Sequence, residues 1–303
     1  LASGGFGRDI KMRQSFNPSI VPELNCTNQP GATGEMIRYA QAVGADALQL
    51  AFIQLYPYAA PDTGILDSPA VYPFRGPGYG IVYVNKLGKR FVNEMERRDV
   101  VSMAQIKTGM KPTYSIFNEA MIPKMGTKEE VEKGMAKGRF VKADTIAELA
   151  GKLGIPANTL VETIKIHNRY MAEGKDPDFG RQFTKVMIPL EEGPFYAIAQ
   201  WPAVHHTMGG LRINKEAQVI DIWGSPIPRL YAAGEVTGGI HGANRLGGNA
   251  IPDCIVFGRV AGTVLAGDCG VETVEGVRPL DGEIRAVGDA HAEREEPPPR
   301  VRS

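Results

Sequence analysis

Apolar residues recur at helical spacing in several stretches of the chain, with polar residues between them. This spacing predicts helices over residues 35–43, 145–153 and 158–172, and a further helix from residue 249 through 260. Apolar residues at 81–84 and 90–92 flank the turn residues 85–88, which predicts a β-hairpin. From Val204 to residue 249, the pattern changes to short predicted strands separated by glycine-rich turns.

The two ends of the chain carry weaker patterns. Residues 1–6 are mostly small and include a glycine pair, as at the end of a buried strand. Residues 268–303 are polar and rich in proline toward the end, which predicts an extended segment with little to bury. The first residue is Leu1 and no leader is visible, so the sequence leaves the compartment open.

Composition places the chain among ordinary soluble globular proteins. Its 303 residues are 43% hydrophobic and 22% charged, enough for one large or two modest domains. Lysine plus arginine equals aspartate plus glutamate at 34 each, which gives no indication of nucleic acid or of a membrane surface. No apolar run approaches the roughly 20 residues of a membrane span. The three cysteines, Cys26, Cys254 and Cys269, are too scattered for a disulfide framework, a zinc ribbon or an attached haem.

Three glycine-rich motifs carry the chemistry: HHTMGG at 205–210, AAGEVTGG at 232–239 and HGANRLGGNA at 241–250. Glycine lets a backbone approach a planar ring without a Cβ clash. Glu235 follows a predicted strand and can accept ribose hydroxyls, and the predicted helix after Gly248 presents N–H groups to an anion. The fork of Arg245 matches a carboxylate. Together, these motifs predict a site for a flavin and an anionic substrate.

Together with ASGGF at 2–6, TNQPGATGE at 27–35 and NKLGKRFVNE at 85–94, these motifs resemble the soluble fumarate reductase and urocanate reductase family, which is related to succinate dehydrogenase flavoprotein subunits. The resemblance covers residues 1–267. It implies an α/β fold: a partial, Rossmann-like FAD-binding domain interrupted by an α+β capping domain. The implied segments are FAD domain 1–50, capping domain 51–204, FAD domain 205–267 and an extended tail 268–303.

The resemblance also implies roles for particular residues. His205 and Arg245 fall on the positions that bind the substrate carboxylate. The positions implied to face FAD are Thr33, Gly34, Glu35, His206, Gly234, Glu235, Gly248, Asn249 and Ala250. Arg75 matches an arginine of the family's proton relay.

The chain departs from fumarate reductases at two positions of the implied site. Tyr56 stands where they have a histidine for the distal carboxylate, and a tyrosine there resembles urocanate reductase, which handles a ring. Tyr58, Tyr72 and Tyr79 could extend an aromatic wall. The proton-donating arginine of the family aligns with Ile122, which cannot donate a proton. That leaves Tyr56 or Arg75 as the expected acid, or Lys124 after a shift of register.

The third departure is an absence. The sequence contains no GxGxxG turn for the FAD pyrophosphate, so we expect a second polypeptide to carry that half of the FAD domain. The expected activity is reduction of an activated C=C bond in an α,β-unsaturated carboxylate, with hydride from flavin N5. A flavin dehydrogenase acting oxidatively or on a ketone, and a non-catalytic flavoprotein subunit, are the alternatives. The identity of an external electron donor stays open.

Overall fold

The computed structural model describes residues 1–271, so the predicted extended tail lies outside the described residues from position 272 onward. The helices are α1 (Ile10–Phe16), α2 (Glu35–Ala42), α3 (Val71–Arg75), α4 (Arg98–Thr108), α5 (Ile122–Met125), α6 (Lys128–Ala136), α7 (Ile146–Leu153), α8 (Ala157–Glu173) and α9 (Ala250–Asp268). The strands are β1 (Ala47–Leu48), β2 (Ile53–Ala59), β3 (Val82–Val84), β4 (Thr113–Asn118), β5 (Phe140–Ala143), β6 (Phe195–Thr207), β7 (Gly210–Leu211), β8 (Gln218–Ile220) and β9 (Pro226–Tyr231).

Strand β6 organises the main sheet. It is 13 residues long and pairs antiparallel with β2, β4 and β5. Its first half, residues 195–200, pairs with β4, while residues 201–207 pair with β2. In this register Gln54 lies opposite His206, and Tyr56 lies opposite Ala203. The sheet therefore places one face of β2 next to the predicted histidine pair.

Two hydrophobic cores flank this sheet. Buried residues of the first core lie between Tyr56 and Ile198, and those of the second come from residues 6–55 and 204–236. Helix α4 lies between the two cores, because Val101 belongs to the first core while Met103 and Ile106 pack against the second. The exact domain boundaries stay a prediction, but α4 and β6 join the two cores together with β2, which contributes Leu55 to the second core and Tyr56 to the first.

The helix predictions near residues 35, 145, 158 and 250 are confirmed by α2, α7, α8 and α9. The second strand of the predicted hairpin is wrong, because only one bridge, between Val84 and Arg90, follows the turn. After this bridge the chain leaves the strand direction, and Nη2 of the buried Arg90 guanidinium lies 2.8 Å from a carboxylate oxygen of Glu94 and 2.8 Å from one of Asp176. Residues 1–6 form no strand, although the Leu1 ammonium donates to the Tyr231 carbonyl at the end of β9.

Helix α9 is unusual in being long, apolar and little buried. By length and composition alone, its 19 residues are long and apolar enough to cross a membrane. Ile251, Ile255 and Leu265 are exposed, and almost none of the helix is buried within the described residues. Asp253 in its first turn is nevertheless buried and hydrogen-bonded to His241. Such a helix needs an apolar environment on its outer side.

Candidate active site

Arg245 lies buried in the loop before α9 and is held there by Gln54 of β2. Its Nη2 donates to Gln54 Oε1 at 3.1 Å, and its Nη1 donates to the Leu246 carbonyl at 3.0 Å. Its Nε is buried without a partner among the described residues. Burial lowers the pKa of Arg245, and the positive charge of Arg98 lowers it further. The guanidinium is therefore fixed in place while part of its donor edge stays free for an anion.

His205 lies beside Arg245 and keeps a neutral ring. Its Nδ1 lies 2.8 Å from the Thr27 hydroxyl, and its ring centroid is 5.0 Å from that of Tyr56. Burial lowers the pKa of His205 to about 4, and the charges of Arg245 and Arg98 act in the same direction. When Nδ1 accepts from Thr27, the proton of the neutral ring resides on Nε2. This tautomer can donate a hydrogen bond to a carboxylate.

Arg98, the first residue of α4, is the site residue that sequence reasoning missed. Its guanidinium carbon lies 5.3 Å from the Tyr56 ring centroid and 4.9 Å from that of Phe74. A Cβ on Gly247 would come within 2.5 Å of its Nη2, so the loop carrying Arg245 packs directly on Arg98. In the part of the chain that the structure describes, no acid or hydrogen-bond acceptor pairs with Arg98.

His206 and Glu235 form a second polar group behind the first. His206 Nδ1 lies 3.5 Å from Glu235 Oε2, and the other carboxylate oxygen accepts from the backbone N–H of Thr207 at 2.9 Å and from Asn28 at 3.2 Å. Burial lowers the pKa of His206 to about 3, whereas burial raises the pKa of Glu235. His206 Nε2 is buried and has no protein partner among the described residues. That orphaned nitrogen fits a cofactor lying against it.

Two helix starts lie at the residues expected to face FAD. Helix α2 follows Thr33 and Gly34. The φ of Gly34 is +69°, and a Cβ there would lie 2.6 Å from the Cβ of Phe6 and 2.7 Å from the sulfur of Met12, so the turn leaves no room for a side chain. Glu35, the first residue of α2, is exposed. Helix α9 begins at Ala250, directly after Gly248 and Asn249. Among the described residues neither helix has a side-chain N-cap, so the first N–H groups of α2 are available for an anionic or polar ligand. Within residues 1–271, only the Ala250 N–H is available in the first turn of α9, because the Ile251 N–H donates to the Gly248 carbonyl at 3.2 Å and Pro252 has no N–H.

Gly234 connects the second polar group to α9. Its φ is +77°, and a Cβ there would lie 3.1 Å from the sulfur of Cys254 in the helix. A residue with a side chain would therefore be strained at this turn and would press on α9. The turn brings Glu235 and the start of α9 together, as the sequence motif predicts for a flavin site.

Arg75, Ile122 and Lys124 do not join this group. Arg75 is exposed and its Nη1 donates to the Met125 carbonyl at 3.0 Å. Ile122 begins α5, is 1% exposed and packs in the first core, and Lys124 lies on the exposed side of the same helix. The position at which the family's proton-donating arginine was expected is therefore occupied by a core residue, Ile122. The sequence signal for Arg98 was only an arginine pair shortly after NKLGKRFVNE, and Arg97 of that pair faces solvent.

The fold and the site define an FAD-binding α/β protein with a capping domain. Residues 1–251 match the FAD binding domain family, and the chain belongs to that family. FAD is accordingly its cofactor. The chain is 40% identical to an NADH:acrylate oxidoreductase of Vibrio harveyi and 40% identical to a urocanate reductase of Eggerthella lenta, each over 86% of this chain. A flavocytochrome c3 fumarate reductase in its open conformation superposes with a TM-score of 0.74, at 38% identity over 88% of this chain.

These matches confirm the resemblance inferred from the motifs. They extend over less than half the length of each of the three relatives. The chain spans 26% of the Vibrio harveyi relative, 43% of the Eggerthella lenta relative and 45% of the flavocytochrome chain. The fold inferred from the resemblance, a partial FAD-binding domain with a cap, agrees with these matches.

The Thr27 hydroxyl offers a direct test of the His205 tautomer. Thr27→Val keeps the side-chain shape but removes the hydroxyl, so the His205 proton is free to shift to Nδ1. We expect the KM for a carboxylate substrate to rise about tenfold, the size of one hydrogen bond. Thr27→Ser keeps the hydroxyl and should retain the original KM. Steady-state kinetics at equal flavin content would measure both, and an unchanged KM in Thr27→Val would contradict this assignment.

Proposed function

We propose that this chain forms the substrate half of an FAD-dependent reductase acting on the C=C bond of an α,β-unsaturated carboxylate. One observation carries the proposal. Arg245 and Arg98 lie close enough to each other and to His205 for their charges to lower the pKa of His205, and no acid of the described residues pairs with either guanidinium. Like charges held together are costly until an anion binds between them. An anionic substrate is therefore the partner that this pocket lacks.

Each residue has a distinct task in this proposal. Reduced FAD supplies the hydride when it is bound. Arg245 holds the substrate carboxylate with its free donor edge, and neutral His205 donates a second hydrogen bond from Nε2. Both donors stabilise the negative charge that develops on the carboxylate during reduction, where fixed dipoles are most effective.

The rest of the pocket favours a substrate with an apolar or ring-bearing end. The Tyr56 ring packs edge-to-face on Tyr58 at 5.2 Å and lies 6.5 Å from Phe74. Tyr72 does not contribute, because it stacks on Phe117 within the first core. An aromatic wall offers little to a second carboxylate but packs well against a vinyl or aryl group. We therefore infer a monocarboxylate or aryl-substituted enoate.

The proton for the α carbon must come from the cap side of the pocket. Among residues 1–271 no acceptor pairs with the N–H groups of Arg98, whose guanidinium carbon lies 5.3 Å from the Tyr56 ring centroid. Burial raises the pKa of Tyr56 to about 12, so its phenol stays protonated at neutral pH. We assign Arg98 as the proton donor and Tyr56 as the residue that shapes its position. Arg75, bound to a backbone carbonyl of the cap, is not needed in this assignment.

A substrate screen tests the proposed activity. With reduced viologen as electron donor and the FAD-loaded enzyme, we expect kcat/KM for acrylate and 3-phenylacrylate to exceed that for fumarate at least tenfold. The reason is the aromatic wall at Tyr56, which cannot pair with a second carboxylate. Fumarate as the fastest substrate would refute the substrate class, and absence of any enoate turnover would refute the reductase.

Substitution of the two candidate donors tests the source of the proton. Arg98→Gln should lower kcat by about 100-fold to 10,000-fold, the usual contribution of a general acid. Tyr56→Phe keeps the ring under Arg98 and should retain most of kcat. Rapid-reaction measurements of flavin reoxidation would isolate this step from flavin reduction. If Tyr56→Phe loses about 100-fold or more while Arg98→Gln keeps most of kcat, the phenol and not the guanidinium is the donor.

A second polypeptide is proposed to complete the FAD domain. The described residues supply flavin-facing groups, but the sequence has no glycine-rich turn for the pyrophosphate, which needs oriented N–H groups. The exposed apolar side of α9, with Ile251 and Ile255, is the surface we assign to that partner. Pairing there would bury an apolar helix that otherwise faces water.

The polypeptide composition of the natively purified protein tests for this partner. Denaturing gels and intact mass of the natively purified, FAD-loaded protein should contain this chain and a second polypeptide bearing a GxGxxG turn. Ile255→Glu, which puts a charge on the apolar side of α9, should reduce the copurified partner and FAD together. Lys165→Glu on the cap helix α8 is the control and should change neither. A single species of this chain's mass with full FAD would contradict the proposal.

A further inference from the structure

A chain of hydrogen bonds connects the two loops that carry Arg245 and Arg98. Gln54 Nε2 donates to the Arg245 carbonyl at 2.7 Å and to Asn244 Oδ1 at 2.6 Å. Asn244 Nδ2 in turn donates to Asp99 Oδ1 at 3.0 Å. Gln54 is 1% exposed, and both hydrogens of its amide are used. We call Gln54, Asn244 and Asp99 the strap.

The two ends of the strap, Asn244 and Asp99, are adjacent in the sequence to Arg245 and Arg98. Asn244 precedes Arg245 in the loop before α9, and Asp99 follows Arg98 in the first turn of α4. Gln54 lies on β2 between them and accepts from Arg245 Nη2 at 3.1 Å. The strap therefore connects one arginine on the cap helix with one on the flavin-side loop, although 147 positions separate them (245 minus 98).

Electrostatics explains why such a connection is needed. Arg98 lowers the pKa of Arg245, because the two positive groups repel each other across the pocket. Before an anion binds, this repulsion favours a larger distance between α4 and the loop. The bond from Asn244 to the Asp99 carboxylate opposes that separation, and a hydrogen bond to a charged group is stronger than a neutral one.

We propose that Asn244 and Asp99 are positioning residues that hold Arg98 and Arg245 at the distance that an incoming carboxylate requires. This inference rests on the proposed function, since it assumes an anion between the arginines. The strap touches neither that anion nor the reacting carbons. Its loss should therefore weaken binding of the carboxylate. Once substrate saturates the site, the bound anion itself draws Arg98 and Arg245 together, so Arg98 regains its place as proton donor and kcat stays nearly unchanged.

The chain offers a matched set of variants. Asn244→Leu and Asp99→Ala each remove the strap bond from one side. Asp99→Asn keeps an acceptor oxygen for Asn244 and is the conservative rescue. Arg97→Gln is the control, because Arg97 donates to the other oxygen of Asp99 at 2.9 Å on the exposed surface and does not reach the pocket.

In the FAD-loaded enzyme we expect Asn244→Leu and Asp99→Ala to raise KM for 3-phenylacrylate, and Kd for 3-phenylpropionate from flavin absorbance, about tenfold. The kcat should change less than twofold. The double variant should be no weaker than either single variant, while Asp99→Asn and Arg97→Gln should resemble the unmodified protein. Equal losses in Asp99→Asn and Asp99→Ala, or a fall in kcat without a change in KM, would overturn the proposal.

Hydrogen–deuterium exchange tests the strap without any substrate. The first turn of α4, residues 98–102, should exchange faster in Asn244→Leu and Asp99→Ala than in Asp99→Asn and Arg97→Gln. This result would support the strap even if the enoate screen failed, so the two proposals can fail separately. Equal exchange in all four variants would show that Asn244 and Asp99 do not hold α4.

Discussion

Two guanidinium groups held close together, with no acid of the described residues paired to either, are the constraint on which the rest of this structure depends. Arg245 and Arg98 repel each other, and both depress the pKa of His205. Such an arrangement persists only where the surrounding structure fixes both groups and where an anion offsets the repulsion on binding. The buried Gln54 amide, on strand β2 of the sheet, restricts the Arg245 guanidinium. The aromatic rings beneath Arg98 restrict the Arg98 guanidinium.

The fold supplies that restriction through a strand shared by two cores. Strand β6 begins in the first core and ends at the histidine pair beside the second. Because β2 pairs with the end of β6, Gln54 is held opposite His206, and the Tyr56 ring centroid lies 5.0 Å from that of His205. Helix α4 crosses the same boundary and presents Arg98 from the cap. The site is therefore formed where two independently packed cores meet, which is a common place for ligand sites.

The residues expected to face FAD interact in a different way from the two arginines. His206 is buried and Glu235 is half-buried, and their pKa values are shifted in opposite directions. Two helix starts without side-chain caps among the described residues accompany them. These groups suit polar atoms of a ring and ribose, but they provide no glycine turn for a pyrophosphate. The first turn of α9 joins this group, because Asp253 is hydrogen-bonded to His241, whose ring centroid lies 5.2 Å from that of His206.

The sequence by itself determined the local elements and the motifs. Helices α2, α7, α8 and α9 follow from apolar spacing and glycine or cap signals, which act between near neighbours. His205, Glu235 and Arg245 lie in glycine-rich segments specific enough to predict a flavin and carboxylate site. Arg98 could not be predicted, because Arg90, Arg97 and Arg98 look alike in the sequence. Only tertiary structure decided among them: Arg90 is neutralised by buried acids, Arg97 faces solvent, and the packing of α4 between two cores directs Arg98 over Tyr56.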